Sequence, residues 1–370
     1  MRALLFTIPA LLPTSAATTP SPSLGDTHLT FEAYLASHGK SYASPAELAS
    51  RRARFEQTRA FVIAHNAKYV AEKVTWWAAM NAFADQTDAE LAAVGAKHFP
   101  TTTAALSPPL ASGAHARPDV DISSVPVAKS WIGVQTPVRN QGGCGSCWAF
   151  GSSEVLESHL MIAENRTIAD LILAPQDLVD CAPNPRKCGG TGGCEGATAE
   201  IAFNWTRSVG GIAAESDYKY TGTDGTCNVA AKKTVTCGGF TKLAVNSVAA
   251  MEQTLANVGP VAVVVASNWA TYGGGIFADG CLSWLGSCTL DHVVVVVGYD
   301  QTSWLVRNSW GANWGEAGYI RLTRKNDNVT YTDDHPSEGN ACAPFVEKQS
   351  VMGESGILFD ASYPTDVVRL

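Results

Sequence analysis

The sequence predicts an α+β protein in two unlike parts, a helical N-terminal segment and a larger domain joining a helix-bearing half to a strand-bearing half. Three observations carry that reading. From Leu29 to about Val94 the chain is cysteine-free and charged, with Glu47, Arg51, Phe55, Val62 and Asn66 at the steps that place residues on one helix face. All ten cysteines lie beyond residue 143. In that later part Trp148-Ala149-Phe150, Val155-Leu156 and Leu160-Met161 keep helical spacing, whereas Val293 to Val297 is a β-branched run ending in a glycine turn.

Arg2, the apolar run Ala3 to Leu12 and then Thr14-Ser15-Ala16-Ala17 have the pattern of a secretory signal over residues 1–17. The run is interrupted by Pro9 and too short to span a bilayer, so no membrane anchor is expected. Sequons at Asn165, Asn204 and Asn328 fit passage through the secretory lumen. Ser44-Pro45 before Glu47 is a helix start, a capping hydroxyl followed by proline in the first turn. Pro100 to Pro118 is rich in Thr, Ala, Ser and Pro and reads as an exposed, protease-accessible linker. The 46% apolar composition supplies a core, and a net charge of −8 offers no basic stripe for nucleic acid.

The chemistry begins at Gln141-Gly142-Gly143-Cys144-Gly145-Ser146-Cys147-Trp148. Taken alone, Cys-Gly-Ser-Cys is equally a dithiol redox motif or half of a zinc site. The helical pattern after it places Cys147 at a helix N-terminus, where the dipole and unpaired amides lower a thiol's pKa. A peptidase also needs a base that protonates the leaving amine. His292, opening the β-branched run, supplies one, although a strand histidine is as often satisfied within a core. Asn308 in Asn308-Ser309-Trp310-Gly311 can orient an imidazole without titrating, and Trp310 can keep water from that bond.

These three blocks, in this order, resemble the papain family of cysteine proteases of the cathepsin L type, written as a preproenzyme. The resemblance implies Cys147 as nucleophile, His292 as its imidazolium partner and proton donor, and Asn308 as the residue orienting the ring. It implies an oxyanion hole from the Gln141 side chain and the Cys147 amide, with Trp310 as a shield, and no metal or organic cofactor. Gly145, Glu195, Gly196 and Ala197 are expected to hold an extended peptide. Thr198, Ala199, Val264, Leu290 and Val293 are expected to line an apolar pocket for the residue two before the cut. Ala197 stands where many relatives carry glycine.

The early helix and Asn81-Ala82-Phe83-Ala84-Asp85 resemble the family's inhibitory proregion, with Thr58 and Ala79 departing from its usual residues. The implied organisation is a signal over 1–17, an inhibitory prodomain over 27–95, a linker with the activating cut over 96–124, and a mature domain over 125–370. The implied fold is papain-like and two-lobed, a helical left lobe and a β-barrel-like right lobe with the cleft between, preceded by a helical prodomain. Acid is expected to loosen the prodomain by protonating its carboxylates. By the same resemblance Cys144 pairs with Cys194, Cys181 with Cys227 and Cys281 with Cys342. Cys188, in an insertion over Pro183 to Gly192, is offered Cys237, and Cys288 is left over.

The acidic stretch Lys325 to Ala341 reads as a solvated loop. No segment resembles the histidine-bearing occluding loop of exopeptidase relatives, so an endopeptidase is expected. Its expected partners are protein and peptide substrates and its own propeptide, with no nucleic acid. It is expected to be a monomer of the lysosome, vacuole or extracellular space. Two other readings are a silent papain-like binding protein and a thiol–disulfide exchanger that needs Cys144 free.

Overall fold

The computed structural model describes residues 24–95, 125–166, 171–281 and 287–370. The expected signal and the 96–124 linker therefore lie outside the described residues. The prosegment holds α1 (Phe31–Ser37), α2 (Pro45–Val70), β1 (Trp76–Ala78) and α3 (Asp88–Ala92). Ser44 caps α2 by accepting from the Glu47 amide, and Pro45 sits in the first turn. The buried face of α2 carries Phe55, Thr58, Val62, His65 and Asn66. The Asn66 carboxamide accepts from the Ala78 amide at 2.7 Å and donates to its carbonyl at 2.8 Å, mimicking a neighbouring strand. Thr87 and Glu90 close a capping box on α3.

The left lobe contains α4 (Cys147–Ala163), α5 (Pro175–Cys181), α6 (Ala199–Ser208) and a small sheet of β3 (Ile212–Ala213), β4 (Lys233–Thr236) and β14 (Val368–Arg369). Helix α4 is buried from Cys147 to Met161, so even its acidic residues face inward. Glu154 pairs with fully buried Arg307 at 2.9 Å, and Glu157 with Arg139 at 3.0 Å.

The right lobe contains β2 (Lys129–Ser130), β5 (Gly239–Lys242), α7 (Val248–Asn257), β6 (Val261–Val265), β7 (Tyr272–Phe277), β8 (His292–Tyr299), β9 (Ser303–Arg307), β10 (Tyr319–Thr323) and β13 (Asp360–Thr365). Its sheet runs β1-β7-β10-β9-β8-β6-β13-β5, with β2 beside β8; among the described residues it is an open path, not a closed barrel. Every residue of β6 and β8 is buried, which explains their unbroken valine runs. The prosegment enters this sheet through β1, antiparallel to β7 with Trp76 opposite Gly275. Among the described residues no helix is long and apolar enough to cross a membrane.

Two expectations fail. Lys325 to Ala341 is not a solvated loop: β11 (Thr330–Asp333) pairs with β12 (Gln349–Met352), and Asp327 and Asp333 are buried. Asp327 accepts from the Trp304 indole at 2.9 Å, and Asp333 from the Gln349 side chain at 2.8 Å, so these acids serve as internal acceptors. The cysteine pairing also differs. Cys144 is bonded to Cys194 and Cys181 to Cys227, but Cys188 is bonded to Cys342 and Cys281 to Cys288. Cys342 cannot serve Cys281 because the Ala341–Ala343 backbone lies along Arg186–Gly189, through Gly189 N to Ala341 O at 3.0 Å and Ala343 N to Arg186 O at 2.7 Å. Cys237, not Cys288, is left unbridged, its thiol buried and donating to the Phe203 carbonyl at 3.6 Å.

Candidate active site

Cys147 is the first residue of α4, at the mouth between the lobes. Backbone amides of Val293, Trp148 and Cys147 act to hold its thiol down, but burial outweighs them, with Asp291 adding to it, and pushes the thiol up to about 11. The lowered pKa expected from the helix N-terminus is therefore not met in this covered state. His292 opens β8, and burial pushes its imidazole down to about 4, against the Asn308 hydrogen bond.

His292 Nε2 lies 2.8 Å from Asn308 Oδ1, and the same oxygen accepts from the Ser309 amide at 2.8 Å. With that oxygen as acceptor, Nε2 carries the proton and Nδ1 keeps its lone pair. Nδ1 is buried without a hydrogen-bond partner. Trp310 stacks on the imidazole at 4.8 Å between centroids, shielding the ring. Gln141 is fully buried; Ser309 Oγ donates to its Oε1 at 2.6 Å, which turns Nε2 toward the Cys144 carbonyl at 3.0 Å. Ser309 thus fixes the Gln141 amide, a role visible only as its place beside Asn308 in the sequence.

A cleft of about 460 Å³ is walled by Gly145, Cys147, Glu195, Gly196 and Ala197 on one side and Asp291, His292 and Val293 on the other. Gln141, Asn308 and Trp310 stand behind this wall rather than on it. Thr198, Val264 and Leu290, expected in the pocket for the residue two before the cut, are buried and off the open cleft. Gly339 packs against two of them: a Cβ there would fall 2.1 Å from the Leu290 carbonyl and 3.1 Å from Val264 Cγ1.

The prosegment closes the same cleft, with Ala92, Ala93 and Gly95 forming part of its lining. Gly95 has φ +67°, and a Cβ on it would come within 2.8 Å of His292 Nδ1. Only glycine brings backbone this close to that nitrogen. Its role carries no local motif, since a lone glycine after a short helix reads as a cap. Upstream, Asn81 donates to the Ala270 carbonyl at 2.7 Å and Phe83 meets Trp310 edge-on at 5.1 Å. The covered Cys147 thiol, the imidazole oriented by Asn308 and the chain's own segment across them are the arrangement expected of a thiol protease zymogen.

Residues 125–339 match the papain family cysteine protease, and residues 31–91 match the cathepsin propeptide inhibitor domain. The chain belongs to the papain family of cysteine proteases. It is 34% identical to digestive cysteine proteinase 2 of Homarus americanus, over 80% of this chain and 90% of that one. It is 35% identical to a cathepsin L-like proteinase of Phaedon cochleariae, over 78% and 86%. Digestive procathepsin L 3 from Tenebrio molitor larval midgut superposes with a TM-score of 0.68 at 28% identity, covering 90% of this chain and 97% of that one. This papain-family chain is a cysteine-type endopeptidase made as a zymogen, acting on proteins and inhibited by its own propeptide.

Proposed function

We propose that Cys147 is the nucleophile of this endopeptidase and His292 its acid–base partner. The observation that carries this reading is the buried, unpartnered Nδ1 of His292 on the cleft that Cys147 also lines, with Nε2 held by Asn308. Nδ1 takes the thiol proton, and the thiolate attacks the scissile carbonyl. The Gln141 amide and the Cys147 N–H meet the oxygen that becomes charged only in the tetrahedral state. The imidazolium then protonates the leaving amine, and water hydrolyses the Cys147 thioester. Burial under the prosegment raises the thiol and lowers the imidazole, so proton transfer to form the ion pair is favoured once Gly95 withdraws and burial is relieved.

The activating cut belongs in residues 96–124, leaving a monomeric enzyme that begins near Val125. An N-terminal signal over 1–17 and exposed Asn204 and Asn328 favour the secretory pathway, ending in a lysosome, vacuole or extracellular space. The test is hydrolysis of an unfolded protein after acid processing. Cys147→Ala is expected to lose about 10⁴-fold or more in rate. Iodoacetamide is expected to label Cys147 with full loss of activity. A processed wild type that neither hydrolyses protein nor alkylates at Cys147 overturns the assignment.

A further inference from the structure

Residues 334–343 form a strap across the cleft. Its two ends are rooted in the right lobe by the β11–β12 pair, where Gln349 bridges Asp333 at 2.8 Å and Asn340 at 2.6 Å. Its turn is closed by Ala341 N to Pro336 O at 2.8 Å. Its tip crosses to the left lobe, where Cys342 is bonded to Cys188 and the backbone pairs with Arg186 and Gly189. Between these anchors Gly339 lies against Leu290 and Val264 on one lobe, and its carbonyl would sit 2.4 Å from a Cβ on Gly189 of the other. Ser337, Glu338 and Gly339 then form one end of the cleft that contains Cys147. The strap belongs to the mature chain, so removing the prosegment leaves it in place.

We infer that this strap is a specificity element. It fills the pocket that would take the side chain two residues before the cut, so the enzyme selects glycine there and rejects the large apolar residues that Val264 and Leu290 alone would suit. The inference rests on Cys147 being the nucleophile. The Cys188–Cys342 bridge holds the strap down from the lobe opposite its roots, and the missing side chain of Gly339 lets it seat.

The test compares processed wild type, the double variant C188S/C342S and Gly339→Ala on two peptides that differ only in glycine or leucine at that position. Wild type is expected to favour the glycine peptide in kcat/KM by about tenfold or more, the scale on which a filled pocket rejects added carbons. Both variants are expected to shift the ratio toward leucine by about tenfold. Gly339→Ala leaves the bridge intact and decides the matter if the double variant does not fold. Iodoacetamide labelling of Cys147, run in parallel, needs no side-chain pocket. Normal labelling with a leucine preference that is present in wild type and unchanged in the variants overturns the inference alone. Absence of labelling in every form overturns the nucleophile reading and this inference with it.

Discussion

Residues 31–95 and 125–370 share one apolar core, with Trp76 of the first against Phe277 of the second at 4.9 Å, yet the two regions are held by groups that answer acid in opposite directions. The mature domain has four disulfides and the buried Arg307–Glu154 pair. It also has carboxyls that burial pushes up, Glu354 to about 8 and Asp327 to about 6. The prosegment has no cysteine; the carboxylates of its pairs Arg51–Glu90 and Arg54–Asp88 are exposed, though Arg51 is mostly covered, and two of its histidines are pushed down. The difference separates the part that must leave from the part that must survive leaving.

The largest expected effect tests whether the shared core is what docks the prosegment. Trp76 is 1% exposed, meets the His65 ring at a tilt with centroids 3.8 Å apart and donates its indole N–H to Asp279 at 2.8 Å. Trp76→Ala should weaken docking by about 3–5 kcal/mol, the cost of emptying a buried aromatic site. Iodoacetamide should then label Cys147 in the unprocessed chain at neutral pH. The melting temperature of the processed enzyme, which lacks Trp76, supplies the control. A proenzyme that stays unlabelled would place the docking energy elsewhere.

Much of this division is legible in the sequence, and the failures have a physical pattern. Cys147, His292, Asn308 and Gln141 each sit in a contiguous block whose local structure, a helix start or a strand end, suffices to aim the side chain. The face of α2 is likewise periodic from Glu47 to Asn66. The strap is different: Cys188 and Cys342 are 154 residues apart, and their pairing depends on how two distant segments fold on each other. Acidic residues at 327 and 333 resemble solvated charge until Trp304 and Gln349, distant in sequence or hidden in a hairpin, are known to donate to them. Local chemistry was readable; partnerships between distant segments were not.

The middle prediction concerns acid itself. His65 is buried, with Lys68 nearby and its Nε2 on the Trp76 carbonyl at 3.0 Å; burial lowers its pKa, while that bond and Asp279 oppose the shift. His38 is lowered by burial and by Lys40. Because the docked form disfavours protonation, the released form binds more protons, and docking is full above the ordinary histidine value of 6.5 and weakens as pH falls below it. In the mature domain the sign is reversed: Glu354 and Asp327 hold protons in the folded state, so their contribution is full in acid. That of Glu354 is lost as pH rises from 4.5 toward about 8. That of Asp327 is lost as pH rises from 3.8 toward about 6. Buried His159 opposes them. These directions predict that histidines, more than the expected carboxylates, sense acid. Hydrogen-exchange protection factors of residues 31–95, which correct for slower intrinsic exchange in acid, should fall in the Cys147→Ala proenzyme between pH 7 and 5, by at most about tenfold per pH unit for each histidine. His65→Gln combined with His38→Gln should flatten that slope, and an unchanged slope would remove the contrast between the regions.

The smallest effect separates carboxylates from histidines directly. Glu90 is pushed down to about 2, first by its bond to Arg51, with the Thr87 amide and hydroxyl adding to it. Its contribution is therefore full above the ordinary value of 4.5 and is lost only as pH falls from there toward 2, below the interval in which the histidines act. The Glu90 side chain is 43% exposed, so the pair is screened and worth about 0.5–1 kcal/mol. Glu90→Gln should speed exchange of the prosegment by about two- to fivefold, by the same amount at pH 7 and pH 5. A loss confined to pH 7 would mean that Glu90 already protonates by pH 5, and would return the acid response of the prosegment to its carboxylates.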